Sequence, residues 1–222
     1  MFQKITPPPR PCDLEREAAK HSHLSPERVG RFTASEIHKL IGQGRGKGDM
    51  FSQTALTYIA TKAYEAVIGY TEQGSHYLSA APQWGVDNEP LALRLLSLQK
   101  YNGVLLHPTI NLAATPDALD ISGQTHEVKS PYSFAKTARF MQIKSTDELL
   151  NTTPEYFWQV IAQMVAANAE RGYLHVYDAR RDVANTIVFE AAHIANHTDT
   201  LISRIKAAEI VLQENINAIC KL

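Results

Sequence analysis

The stretch 114–131, ATPDALDISGQTHEVKSP, constrains this chain more than any other. Two short runs with apolar alternation flank Ser122-Gly123, a turn dipeptide, so the pattern predicts a β-hairpin. Asp117 enters its first strand, and Glu127 and Lys129 stand on its second. Side chains alternate faces along a strand, so Glu127 and Lys129 point one way and Val128 the other. With Asp117 on the same side, two carboxylates and one ammonium converge. Mg²⁺ takes hard oxygen ligands, keeps several waters and is held by one or two carboxylates plus substrate phosphate. A neighbouring lysine can orient a water or stabilise charge on a phosphate. The set therefore suits hydrolysis of a phosphodiester. A plain surface hairpin with a weak ion pair produces the same short pattern, so the rest of the chain must decide.

With 222 residues, 44% of them hydrophobic, the chain is long and apolar enough for one α/β domain. A net charge of −1 carries no global signal for nucleic acid. Locally, Arg28, Arg31, Lys39, Arg45, Lys47 and Lys62 face only Glu36 and Asp49, which makes either a phosphate-facing surface or a solvated one. Cys12 and Cys220 lie near opposite ends and cannot supply a four-cysteine zinc or iron–sulfur site. Sparse cysteine fits a reducing cytoplasm. No apolar run reaches the length of a membrane span, and the first residues do not open like a signal peptide.

The expected organisation is a proline-containing arm over 1–24, with a short helix at 14–20, and a single domain over 25–222. Helices are expected up to Leu40, capped by Thr33 or Ser35, and at 51–68, 86–101, 154–169 and 194–219. The 51–68 helix carries Leu56, Ile59, Ala60, Ala63 and Val67 near helical spacing, with Gly69 as its C-cap. Leu91, Leu95 and Leu98 form the apolar face of the 86–101 helix, and Glu89 lies in its first turn, where the helix dipole favours an acid. Strands are expected at 104–110, 173–177 and 185–189. In the 154–169 helix, Gln159 and Gln163 are one turn apart, on a different face from the stripe of Phe157, Val160, Ile161, Met164 and Val165. The loop 42–49, GQGRGKGD, is not a P-loop, because Gly48 follows Lys47 where Ser or Thr is required. It is either a plain surface loop or a basic loop touching a DNA backbone. His193 and His197 are one helical turn apart but lack an HExxH motif and a third ligand, so no metal site is expected there. His21, His23 and His38 read as surface or capping residues.

The order of these features resembles the PD-(D/E)xK restriction-endonuclease-like core: a helix with an acid, a strand with PD, a strand with ExK, then a helix with Gln near its start. Within that group, the words Arg28 with Thr33-Ala34-Ser35-Glu36, Trp84-Gly85 with Glu89, and Thr115-Pro116-Asp117 resemble the lambda exonuclease family. So do Glu127-Val128-Lys129-Ser130-Pro131, Tyr156 with Gln159-Val160, and Tyr177-Asp178-Ala179-Arg180. Its members are also called YqaJ-like viral recombinases. The resemblance implies an α/β fold with a central mixed β-sheet flanked by helices. It also implies an Mg²⁺-dependent 5′→3′ exonuclease acting on linear double-stranded DNA, releasing 5′-mononucleotides and leaving 3′ single-stranded overhangs for recombination. Two Mg²⁺ per active site are implied, with Mn²⁺ as a substitute. Asp117, Glu127 and the Val128 carbonyl carry over as metal ligands, Glu89 as the carboxylate of the second metal, and Lys129 as the residue that positions water. Arg28, Ser35 and Gln159 carry over to a pocket for the terminal 5′-phosphate, where Thr115 keeps the hydroxyl of a frequent Ser. An aromatic common shortly before the arginine is missing, Leu24 being the nearest large side chain. Implied partners are DNA ends, a single-strand annealing protein and two further copies in a ring-shaped homotrimer; the implied setting is the bacterial cytoplasm, with a phage or prophage origin. Another nuclease on the same core, an endonuclease or structure-specific enzyme, would keep Asp117, Glu127 and Lys129 without the phosphate pocket. A non-catalytic DNA-binding protein would have no need of the intact Asp–Glu–Lys set.

Overall fold

The computed structural model describes residues 26–44, 46, 48–71 and 80–221. The expected arm, Cys12, His21, His23 and the loop cations Arg45 and Lys47 lie outside the described residues.

A 3₁₀ turn at Pro26–Arg28 leads into strand β1 (Phe32–Thr33) and a 3₁₀ helix, Ala34–Leu40. Thr33 takes the N-cap position of that helix but makes no side-chain cap bond, and Ser35 lies exposed inside it. Helix α1 (Gln53–Ile68) is capped by Ser52, whose hydroxyl accepts from the Ala55 N–H at 3.2 Å. It ends at Gly69, left-handed at φ 81°. Its buried face is Ala55, Tyr58, Ile59, Lys62 and Ala63, so the stripe is turned from the expected one and leaves Leu56 and Val67 exposed. Helix α2 (Ala80–Leu95) starts and stops six residues earlier than the expected 86–101. Ser97 turns left-handed at φ 56°, and the Leu98 N–H returns to the Leu93 carbonyl, which ends the helix. Its buried face is therefore Asn88, Ala92 and Leu93, while Leu91 and Leu95 are exposed.

The expected strand at 104–110 reduces to β2 (Leu105–Leu106), because Pro108 has no N–H to continue a ladder. Strand β3 (Leu112–Ala114) pairs antiparallel with β2 and parallel with β1, giving a three-stranded sheet. Thr115-Pro116 interrupts the chain, again without a proline N–H, and β4 (Ala118–Leu119) joins a second sheet. That sheet runs β4-β5-β6-β7, with β5 (Thr125–Lys129), β6 (Arg171–Asp178) and β7 (Val183–Glu190). Strands β5 and β6 are parallel; the other two pairs are antiparallel. The single central sheet expected from the sequence is thus two mixed sheets, since the strand path breaks at Pro116.

Between β5 and β6 come α3 (Phe134–Phe140), α4 (Thr146–Thr152) and α5 (Pro154–Ala167). The first two were not expected: each is seven residues, too short for periodicity to show, and each relies on a serine cap, Ser133 and Ser145. The chain closes with α6 (Ala195–Ile219), which packs along α1 through Leu201, Ile205 and Ala208. The main core gathers Val160, Ile161 and Met164 of α5 against Leu174 and Val176 of β6. A smaller cluster joins Ala92 and Leu93 of α2 to Ala118, Val128 and Tyr177. Strand β5 therefore has α5 over one face and α2 over the other, and its C-terminal end is where side chains from both can meet.

Candidate active site

The expected hairpin is β4–β5, with Ala118 opposite His126 and Leu119 opposite Thr125. Asp120 builds its turn: one carboxylate oxygen accepts from the Ser122 and Gln124 N–H groups, and Gly123 takes φ 76°. Asp117 lies just before β4, its N–H bonded to the His126 carbonyl at 3.0 Å and its Oδ2 accepting from the Val128 N–H at 2.7 Å. Alternation along β5 sends Val128 into the smaller apolar cluster and Glu127 and Lys129 to the opposite side.

A cleft of ≈ 310 Å³ opens at this end of the sheet, lined by Glu89, Asp117, Glu127, Val128, Lys129, Gly85, Val86, Ser130, Pro131 and Tyr156. All four residues expected at the chemistry, Glu89, Asp117, Glu127 and Lys129, border it. Glu127 is 4% exposed and held from three sides. Lys129 Nζ and Gln159 Nε2 donate to its Oε1 at 2.5 and 2.6 Å, and Gln163 Nε2 donates to its Oε2 at 2.5 Å. The two glutamines form a clamp because they are one turn apart on α5, directly over β5. Gln163 was expected only as a neighbour of Gln159 off the apolar stripe; the i,i+4 glutamine pair was the one sign of it in the sequence. Gln159 was expected to face a terminal phosphate. It is buried beside Glu127, to which its amide donates, because α5 packs onto the strand.

Glu89 meets a second unforeseen residue. Lys100 Nζ lies 2.8 Å from Glu89 Oε1, and Lys100 is anchored by a bridge between its backbone and that of Ala118. The Lys129 ammonium also lies 5.0 Å from the centroid of the Tyr156 ring.

Burial, then the charges of Glu127 and Glu89, push the Asp117 carboxyl well above its usual range, against the bond from the Val128 N–H and the charge of Lys129. Burial works against the Lys129 ammonium, but Glu127 and Asp117 outweigh it and hold its pKa above the usual value. Lys129 is therefore held as a cation beside the two carboxylates. Among the described residues, no three His, Cys, Asp or Glu side chains converge on a single metal position. The donor set still fits Mg²⁺, which needs only one or two carboxylates with waters and phosphate, and the carboxylate crowding that raises the Asp117 pKa is what a cation would relieve.

The residues expected at the 5′-phosphate lie outside the lining of this cleft. Ser35 and Thr115 are exposed, Arg28 is half-buried in the 3₁₀ turn, and none of them borders the cleft. The local excess of basic residues is also partly cancelled. Lys39 pairs with Glu36 at 2.5 Å, and Lys62 is buried against Glu65 at 2.9 Å. His197 packs edge-on against Phe157 and Trp158. Among the described residues, no helix is long and apolar enough to cross a membrane.

This fold is shared with solved exonucleases. An alkaline exonuclease, LHK-Exo, from Laribacter hongkongensis is 22% identical, covering 93% of this chain and 96% of its own, with a TM-score of 0.63. Its structure in complex with dAMP is 21% identical over 88% of this chain and 96% of its own, also with a TM-score of 0.63. A phage related exonuclease from Haemophilus somnus 129PT is 16% identical over 85% of this chain and 96% of its own, with a TM-score of 0.65. The model of the YqaJ-like viral recombinase domain matches residues 25–170, and the chain belongs to that family. Comparison with curated protein sequences finds no match.

Proposed function

We infer that the protein is an Mg²⁺-dependent exonuclease that digests one strand of linear double-stranded DNA in the 5′→3′ direction. The observation that carries this reading is the convergence of Glu89, Asp117, Glu127 and Lys129 on one cleft in a chain of this family. Asp117, Glu127 and the Val128 carbonyl would hold one ion and Glu89 a second, with Mn²⁺ able to replace Mg²⁺. When bound, the ions supply Lewis-acid activation of water and neutralise charge on the phosphodiester. The chain's own residues prepare that chemistry. Gln159 and Gln163 fix the Glu127 carboxylate, the Val128 N–H fixes Asp117, and the protonated Lys129 orients the attacking water and stabilises the transferring phosphate. LHK-Exo is known in complex with dAMP, the kind of 5′-mononucleotide this reaction would release.

Polarity, the 3′ overhang, the ring-shaped homotrimer and a single-strand annealing partner are supported by family membership. For the 5′-phosphate, Arg28 offers a planar fork, and its side chain has no hydrogen-bond or ion-pair partner among the described residues. Ser35 and Thr115 are open to solvent and able to donate. Gln159 would contribute from its place beside Glu127.

The test is end-labelled linear duplex with Mg²⁺, run beside covalently closed circular plasmid. Nucleotide release from the linear DNA, with the circle intact, is expected. Nicking of the circle would select the endonuclease alternative, and Asp117→Ala or Glu127→Ala should abolish either activity in a folded protein. Light scattering should give about three times the 24.7 kDa chain mass.

A further inference from the structure

Two sequence words with no part in the metal site meet beside it. Arg180, in the turn after β6, lays its guanidinium 4.5 Å from the centroid of the Trp84 ring of α2 and 4.7 Å from that of Phe134. Its Nη2 donates to the Tyr132 carbonyl at 2.6 Å, and the Tyr132 ring stands edge-on to Trp84 at 5.9 Å. A clasp tying α2 to the sheet needs Trp84 and Arg180. It does not need Phe134 to be 74% exposed or Tyr132 48% exposed. The cluster also sits between two openings. Gly85, Val86, Ser130 and Pro131, its immediate neighbours in sequence, line the carboxylate cleft. Phe134 and Arg180 themselves line a second cavity of ≈ 450 Å³, together with Met141, Gln142, Asp178 and Arg181, the last two ion-paired at 3.0 Å. Lys136 and Arg139 of α3 are exposed nearby in sequence, and the Arg181 side chain is 64% exposed.

Exposed rings interleaved with cations are how single-stranded nucleic acid is held without sequence preference. Bases stack on the aromatic and guanidinium planes, and cations follow the backbone. The geometry points to a nucleotide subsite at Tyr132, Phe134 and Arg180, taking the bases of a DNA strand that has parted from its duplex next to the cleft. The occupant follows from what borders the surface: a site for phosphodiester chemistry on one side and, on the other, a nucleotide-sized cavity where Arg180 and Phe134 face the opening and Asp178 is taken up by Arg181. The inference rests on the nuclease reading and adds a substrate contact to it.

The test is equilibrium binding of a fluorescent duplex with a short single-stranded end, using the full chain with Ca²⁺ in place of Mg²⁺. Phe134→Ala and Tyr132→Ala, both at exposed positions, should each weaken binding about five- to a hundredfold. Phe134→Trp should restore it. A duplex whose single-stranded end carries abasic sites should bind the unmodified protein as weakly as the alanine variants bind the ordinary end, and should lose nothing further with Phe134→Ala. Unchanged affinity in both alanine variants, or an equal loss on abasic DNA, would overturn the subsite and leave the nuclease reading standing. Absence of DNA binding and of Mg²⁺-dependent cleavage in the unmodified protein would overturn the nuclease reading instead.

Discussion

Replacing Gln163 by leucine tests whether the glutamine clamp serves the site or only the fold. Gln163 is 1% exposed, and its amide is the donor to Glu127 Oε2. Losing a hydrogen bond to a charged group costs about 1.5–3 kcal/mol. The same side chain also buries its Oε1 without a partner, and removing an unsatisfied acceptor returns about 1–3 kcal/mol. The two terms nearly cancel, so urea unfolding in EDTA should show little net change in stability. The effect on the carboxylate has no such compensation. Glu127 keeps Lys129 and Gln159 on one oxygen and loses all restraint on the other. Groups that orient metal ligands are worth about 10- to 100-fold in metal affinity. Calorimetric titration with Mn²⁺ should therefore show a fall of that size in Gln163→Leu, with Gln159→Leu behaving alike. A variant that loses about 3 kcal/mol of stability and keeps its Mn²⁺ affinity would refute the reasoning and make the clamp a fold element.

Three further outcomes are expected. Gly172 lets α5 approach β6 closely: a Cβ there would lie 2.7 Å from Met164 Cγ and 2.8 Å from Val160 Cγ1, so Gly172→Ala should cost about 1–3 kcal/mol in urea unfolding and also weaken Mn²⁺ binding as the clamp lifts. His175 is held down to about 4, first by burial and then by His126; its folded pKa lies below the ordinary 6.5, so stability is full above 6.5 and drains away as pH falls toward 4. The loss by pH 5 should be about 2 kcal/mol from this group, and His175→Gln should flatten urea midpoints measured between pH 7 and 5; an unchanged slope would count against it. Lys100, 56% exposed in its side chain, competes with a cation for Glu89, so Lys100→Met should tighten binding of the weaker Mn²⁺ up to about fivefold, the equivalent of an exposed ion pair.

Much of the site was legible before any fold was known, because its spacing is a property of one strand and one turn. Asp117, Glu127 and Lys129 are joined by a hairpin whose alternation and Ser122-Gly123 turn are local, so their convergence follows from backbone geometry alone. The helices of α1, α5 and α6 were equally plain, being long and periodic, whereas α3 and α4 were hidden by their length. What no local rule supplies is which face of a helix meets which strand. Tertiary packing turned the α1 stripe, placed Gln159 and Gln163 on Glu127 rather than toward solvent, and brought Lys100 to Glu89. It split one expected sheet into two at Pro116 and laid Arg180 on Trp84, ninety-six positions away. Spacing along a strand or turn is set by covalent geometry and so can be read residue by residue. Contacts between distant segments are chosen by burial summed over the whole chain, and that sum exists only once the chain has folded.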